Sequence, residues 1–330
     1  MTLTNQATPE FSLEFAYAYG KPEVEAQLKA TNADFKVVEN LAIDFSGDGE
    51  HRYLWLEKDG ENSHWVAKKI AEFAGIDVNS VGFSGMKDRN AITRQWFSVH
   101  LPKSDITDWS TFDCAGYRVL ESHRHRQKLR RGQHQSNSFE ILLRGEFPDA
   151  DKNEIEQRLL SIQKSGAPNY FGEQRFGRQG SNLLAAENWL VHGKKIKNKR
   201  EKGLVLSAAR SYLFNQLLAT RVKAGNWNQL ITGDVELNGL ATGALWGRGR
   251  LASQAEALAI EQALAAEWPE WTHQLEHQGL NQERRSLVLQ PLALTWQWLP
   301  EGLMLQLQLA AGQFATTLLR ELVCLVSKDH

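Results

Sequence analysis

The feature that most limits how this chain can fold lies near its C-terminal end. Leu292, Leu294, Trp296 and Trp298 alternate with smaller or polar residues, Pro300-Glu301-Gly302 interrupts, and Leu303, Leu305, Leu307 and Leu309 alternate again. Strand side chains point to opposite faces with a period of two, so each run has one apolar and one polar face. Two such runs joined by a turn predict a hairpin, and a lone hairpin has nothing to bury its apolar face against. A sheet has to lie beneath it, and its other strands must come from elsewhere in the chain.

The first third supplies candidates. Asp34-Phe35-Lys36-Val37-Val38-Glu39 alternates like a half-buried strand, and Tyr53 to Leu56 is a second short apolar run, closed by Asp59-Gly60. Asn62 and Ser63 offer a helix cap, Val66, Ile70 and Phe73 share one helical face, and Gly75 ends the pattern. Val81 to Phe83 predicts a strand running into the polar loop Gly85-Met86-Lys87-Asp88-Arg89-Asn90. Trp96 to Val99 and Asn137 to Leu143 read as further strands. The middle is different. Asp151 to Gln163 favours a helix, Leu206, Ala209, Leu213 and Leu217 form one stripe, and Ser253 to Trp268 is rich in Ala, Leu and Glu. Phe314, Leu318 and Leu322 predict a closing helix. A strand-rich start, a helical middle and a strand-rich end point to one sheet interrupted by an inserted domain.

Composition sets the remaining bounds. A chain of 330 residues suggests about two domains, and 42% apolar with 23% charged residues is the mixture of an ordinary globular protein. A net charge of −1 excludes a wholesale basic protein but permits a local basic face. The only cysteines, Cys114 and Cys324, are far apart in sequence, so neither a disulfide framework nor a thiolate zinc site is expected. No apolar run approaches the ~20 residues of a membrane span. The opening MTLTNQATPEF lacks the charged start and apolar stretch of a signal peptide, so a cytoplasmic protein is expected.

Charge gathers in two places. Arg118, Arg124, Arg126, Lys128, Arg130 and Arg131 run up to the strand that carries Asn137 and Phe139, with His123, His125 and His134 among them. A second run holds Lys194, Lys195, Lys197, Lys199, Arg200 and Lys202. Either can be a phosphate-binding surface or a solvated face. His123 and His125 fall on one face of a strand, a spacing metals use, but no Cys or acidic cluster completes a ligand set, and no metal is expected. In the loop Gly85–Arg89, Asp88 stands between Lys87 and Arg89. Positive neighbours favour an ionised carboxylate, which can act as nucleophile or base. Asp and Gly are equally the ordinary residues of turns.

The residues around this loop resemble a known family. Gly82-Phe83-Ser84-Gly85-Met86-Lys87-Asp88-Arg89-Asn90-Ala91-Ile92-Thr93-Arg94-Gln95-Trp96 is similar to the G-x-K-D, basic, A-x-T-x-Q-W signature of the TruD family of tRNA pseudouridine synthases, with Asn90 where many bacterial members carry histidine. Asp34-Phe35 with Val37 and Glu39 fits its D-F-x-V-x-E. Asn169-Tyr170-Phe171-Gly172 with Gln174-Arg175-Phe176-Gly177 fits N-Y-F-G-x-Q-R-F-G. Phe314-Ala315-Thr316 with Arg320-Glu321-Leu322 fits its closing F-A-T and R-E-L.

The resemblance implies an isomerase converting uridine 13 of tRNA to pseudouridine, with Asp88 as the catalytic carboxylate. Breaking the N1–C1′ bond, turning the uracil and rejoining it through C5 involves no net redox change, so no cofactor is expected. No phosphate-binding G-x-x-x-x-G-K-[ST] loop is present either. A uracil must leave the RNA stack to meet such a group. By resemblance Phe139 would stack on it, with Asn137 in the same pocket and Lys29, Lys87 and Glu39 beside it. Arg124, Arg126, Lys128, Arg130, Arg131 and Arg175 would hold the RNA. The implied fold is α/β (α+β): a mixed, mainly antiparallel catalytic sheet domain, 1–153 with 286–330, interrupted by a mostly helical TRUD domain, 154–285. The partner expected is tRNA, with no membrane, no obligate protein partner and a monomeric chain. Two rivals stand beside this reading: a catalytically silent RNA-binding protein or tRNA-folding chaperone, and a glycosidic-bond hydrolase needing a second carboxylate as its acid.

Overall fold

The computed structural model describes residues 11–102, 108–109, 111–112 and 116–326; the amino-terminal MTLTNQATPE and Cys114 lie outside them. The chain divides into two compact units. One takes Glu23–Gln157, Pro291–Gly312 and Val323–His330, the other Met1–Pro22, Arg158–Gln290 and Gln313–Leu322.

The first unit is built on a ten-stranded sheet. Its strands are β1 (Glu25–Leu28), β2 (Phe35–Asn40), β3 (His51–Asp59), β4 (Val81–Phe83), β5 (Ile92–His100), β6 (Tyr117–His125), β7 (Ser136–Arg144), β8 (Leu292–Leu299), β9 (Gly302–Ala310) and β10 (Cys324–Val326). Their order is β8-β9-β7-β2-β5-β3-β6, with β4 on β5 and β1 between β7 and β10. β2 runs parallel to β5 and β1 parallel to β10, while β8–β9, β9–β7, β7–β2, β5–β3 and β3–β6 are antiparallel. The C-terminal hairpin therefore finds its sheet in the first third of the chain. Leu303, Leu305, Leu307 and Leu309 are buried on the face that also carries Ile141, Phe139 and Asn137 of β7 and Phe35, Val37 and Glu39 of β2.

Helix α1 (Ser63–Ala74) starts where the sequence pattern places it. The Asn62 side chain accepts the Trp65 N–H, and Gly75 takes the left-handed conformation (φ 63°) that closes the last turn. Val66, Ala67, Ile70 and Ala71 pack against Leu54, Leu56, Phe97 and Val99 on one end of the sheet. Burial of each large apolar side chain there contributes about 1.5–3 kcal/mol.

Three expectations change. Leu292 is exposed, because a bulge between Leu292 and Thr295, with Ala293 at φ 50°, adds a residue and breaks the alternation of β8. The closing helix is only α7 (Ala315–Leu319); Leu322 bonds back to the Leu319 carbonyl, and the β-favouring Cys324–Val326 pairs with β1 instead. Tyr117–His125, which reads as a basic cluster with only His123 and His125 spaced as on a strand, is an edge strand along its whole length.

The second unit is mostly helical. α2 (Asp149–Ser165) begins in the sheet unit's stretch of chain and ends in this one, followed by α3 (Ser181–Leu190), α4 (Lys199–Lys223), α5 (Ala255–Glu267) and α6 (Pro269–Glu276). The Leu206, Ala209, Leu213 and Leu217 stripe of α4 is buried in a core with Phe176, Tyr212 and Trp271. Small sheets join Glu236–Leu237, Leu240–Leu245 and Glu283–Ser286, and Ala167–Pro168 with Val288–Leu289. Among the described residues no helix is long and apolar enough to cross a membrane. Cys324 is an exposed free thiol.

Candidate active site

The loop between β4 and β5 is polar and short, so its backbone groups need partners if it is to hold one shape. Gly82 lets the chain enter it close to Leu129: a Cβ there would meet the Leu129 carbonyl at 2.3 Å. Ser84 then ties the loop to the segment before β7. Its hydroxyl accepts the His134 N–H (2.7 Å) and lies 2.6 Å from His134 Nδ1, while its carbonyl accepts the Gly132 N–H. Burial, then the nearby Lys87 charge, hold His134 below the usual histidine pKa. Gln95 bonds the Gly85 carbonyl (3.1 Å) and accepts from Ser63 Oγ (2.5 Å), which accepts the Lys87 N–H (3.0 Å).

The two cations flanking Asp88 in sequence do not serve it. Lys87 turns inward, where its ammonium meets Glu39 Oε2 at 2.7 Å; the Glu39 side chain is 0% exposed and takes the Trp96 N–H on its other oxygen. Arg89 Nε donates to the Gly60 carbonyl. The cations at Asp88 come from other strands. Lys29 Nζ pairs with Asp88 Oδ2 at 2.5 Å, and Lys58 Nζ donates to the Asp88 carbonyl at 2.7 Å. The Asp88 side chain stays 38% exposed, open to an incoming molecule.

Lys29 follows β1 in the left-handed region, φ 58°, a strained backbone for a residue with a Cβ. From there its ammonium also sits 4.2 Å over the Phe35 ring, and Phe35 meets Phe139 edge-on at 6.0 Å. Carboxylate, cation and two aromatic rings thus form one continuous group. Asn137 lies two residues before Phe139 on the same face, buried, and its Oδ1 has no hydrogen-bond partner. An orphan acceptor of this kind costs stability until a donor arrives.

The basic run divides. Arg118 is committed to Glu57, as is Arg94; burial alone would raise that carboxyl, but bonds from both arginines hold it below its usual pKa. Arg126 makes a two-pronged pair with Asp48. Lys128 donates to the Asn79 carbonyl. Arg124 is half-buried in register with Arg52. Arg130 and Arg131 are exposed in the turn that Gly132 and His134 fasten to Ser84. His123 stacks flat on Phe45 (4.5 Å, 7°) and His125 Nδ1 takes the Ser46 N–H, so both have packing roles.

In the other unit, Arg175 lies 5.3 Å over Phe171 and bonds Ser207, and Arg285 lies 4.1 Å over the same ring and bonds Asn169. Burial lowers both guanidinium pKa values, Arg285 to about 9, with Arg175 as the second cause. The second basic run surrounds the start of α4, where Asn198 caps Arg200 and Glu201 and Lys202 lies over Trp189. Cations at the positive end of a helix oppose its dipole and concentrate positive potential.

Sequence reasoning missed Lys58, Ser63 and Gln95. Lys58 had a signal: it continues the inward alternation Leu54, Leu56, where a third apolar residue belongs.

Comparison with known proteins gives the family and the fold. The profile of the family described as tRNA pseudouridine synthase D (TruD) matches residues 14–198. The chain is 48% identical over 320 residues to tRNA pseudouridine synthase D of Cellvibrio japonicus, covering 96% of this chain and 94% of that one. It is 43% identical over 332 residues to the Hydrogenovibrio crunogenus protein of the same name, covering 93% and 95%. The crystal structure of a Methanosarcina mazei chain assigned to TruD superposes with a TM-score of 0.71 at 18% identity, over 93% of this chain and 95% of that one, and shares the fold.

Proposed function

The chain belongs to the tRNA pseudouridine synthase D (TruD) family, making it a tRNA-modifying isomerase, and on that premise we propose that it converts uridine 13 of tRNA to pseudouridine with Asp88 as the reacting carboxylate. One observation carries this. Asp88 is partly open to solvent, paired with Lys29, and linked through the Lys29–Phe35–Phe139 group to an aromatic ring two residues from Asn137, whose Oδ1 is unpartnered.

A flipped uracil presents a flat face, two carbonyl acceptors and an N3–H donor. Phe139 offers the stacking surface, worth ~1–3 kcal/mol per base, and Asn137 Oδ1 is an acceptor for the base's N–H. Asp88 then attacks C1′, adds to the ring, or takes a sugar proton. Each route releases N1, turns the base and forms the C5–C1′ bond without oxidant or reductant. The Lys29 ammonium offsets the carboxylate's charge on one side and leaves the other accessible. Arg130 and Arg131, with Arg124 and the cations around the start of α4, supply phosphate contacts, and Arg175 adds a stacked guanidinium on the other unit. The sheet unit is assigned the catalysis and 154–285 the inserted TRUD domain, working in the cytoplasm.

Sequencing pseudouridines in tRNA treated with the purified protein tests this. A new pseudouridine at position 13 and nowhere else is expected. An unchanged position 13, or modification of a different uridine, would contradict it.

A further inference from the structure

Lys58 is an anomaly for a strand residue on the buried face: it is 0% exposed, yet carries an ammonium. Lysines are almost never buried this deeply without a function or a partner that repays desolvation. Its Nζ donates to two main-chain carbonyls, Glu61 at 2.5 Å and Asp88 at 2.7 Å. The first belongs to the turn that starts α1, the second to the proposed reacting residue. Two neighbouring bonds run between the same segments: Lys87 N–H to Ser63 Oγ and Arg89 Nε to the Gly60 carbonyl. Loop residues 87, 88 and 89 are therefore each fastened to the segment 58–63, and at position 88 the fastening is a buried cation.

We infer that Lys58 is the positioning residue of the reaction: it fixes the Asp88 backbone and places a fixed positive charge beneath it, so that the carboxylate points at the substrate in a single geometry. This rests on the reading of Asp88 as the reacting group. Lys29 holds the carboxylate itself and is partly open to the site, so it can shift when substrate arrives. Lys58 holds the main chain and is enclosed. A misplacement of about 1 Å in a reacting group costs on the order of 10²-fold in rate, and the binding surface for RNA does not feel it.

The buried ammonium also leaves a signature. Desolvation pushes Lys58 down to about 8, against Asp88, Glu61 and Asp59, which favour its charged form, and with Lys87, which opposes it. The charge under Asp88 is thus lost in mildly alkaline solution.

The test compares wild type, Lys58→Met and Asp88→Asn under single-turnover conditions with excess protein. Lys58→Met keeps the length and apolar stem but removes charge and donors. The expected result is a rate lower by on the order of 10²-fold, with tRNA Kd changed by less than about threefold and the Tm kept within a few degrees. The wild-type rate should fall above about pH 8, and that fall should be absent in Lys58→Met. A wild-type-like rate in Lys58→Met, a rate loss matched by equal loss of tRNA affinity, or a flat wild-type profile from about pH 7 to 9 each overturns the inference. The wild-type profile decides the matter even if the variant fails to fold. An inactive Asp88→Asn beside an unimpaired Lys58→Met sinks the role of Lys58 alone. An active Asp88→Asn sinks the proposed function itself.

Discussion

The loop from Ser84 to Asn90 and the basic stretch from Tyr117 to Arg131 are both rich in charge, but the fold treats them differently. In the loop, side chains that are adjacent in sequence are separated in space: Lys87 goes into the core to Glu39, Arg89 to the Gly60 carbonyl, and Asp88 to Lys29 with its carboxylate partly open. In the basic stretch, side chains that look available in sequence are already spent on carboxylates and carbonyls, Arg118 on Glu57, Arg126 on Asp48 and Lys128 on Asn79. The density of charge in a sequence therefore says little about how much charge a surface offers. What counts is which groups the strands leave without an internal partner.

The comparison breaks first at the buried pair. Glu39→Gln leaves the Lys87 ammonium enclosed without its counter-ion and is expected to destabilise the protein by ~3–5 kcal/mol, read by denaturant unfolding. A loss below about 1 kcal/mol would mean that Lys87 finds water and the loop is not anchored there. Next, Phe139→Ala should weaken capture of the flipped base by ~1–3 kcal/mol in a tRNA titration. No loss would return Phe139 to a packing role against Phe35.

The basic stretch gives a sharper contrast. Replacing both Arg130 and Arg131 with Ala should lower the slope of log affinity against log salt by about 2, roughly 0.9 for each phosphate no longer neutralised. Arg118→Ala and Arg126→Ala should move the slope less and shift stability by no more than ~1 kcal/mol, since both pairs are surface pairs. Equal slopes for the two sets would erase the distinction drawn between them. The smallest effect concerns His134. Its folded pKa is depressed, so the unfolded chain binds the proton more readily, and the stability it gives is complete above about pH 6.5 and lost as the pH falls below that value. His134→Gln should flatten the fall of stability between about pH 6.5 and 5; an unchanged slope would clear His134 of the effect.

Much of this was legible beforehand. The alternation in 303–309, the cap at Asn62, the αL glycine at 75, the strand at 81–83 and the loop at 85–90 all depend on local patterns, and the structure keeps each of them. The mixed, mainly antiparallel sheet was implied by the family resemblance, and the structure has it. Other features needed three dimensions. The bulge at Ala293 is set by its register with the neighbouring hairpin strand, and the brief strands Glu25–Leu28 and Cys324–Val326 by partners some 300 positions apart, Glu25 with Cys324, which no local pattern records. Of the cations of the site, Lys29 was named by resemblance and reaches Asp88 from a strained backbone, whereas Lys58, on the buried face of its strand, was hidden, and the adjacent Lys87 and Arg89 turn elsewhere. The period-two alternation of Leu54 and Leu56 runs on to Lys58, but nothing in that pattern says what Lys58 holds.

The most direct measurement is a single-turnover assay of Asp88→Asn on tRNA beside a binding titration of the same protein. The exchange removes the negative charge and keeps the side chain's size. Pseudouridine formation should fall by at least ~10²–10⁴-fold, with affinity changed less than about twofold. Turnover near the wild-type rate, or a protein that no longer binds tRNA, would contradict the account.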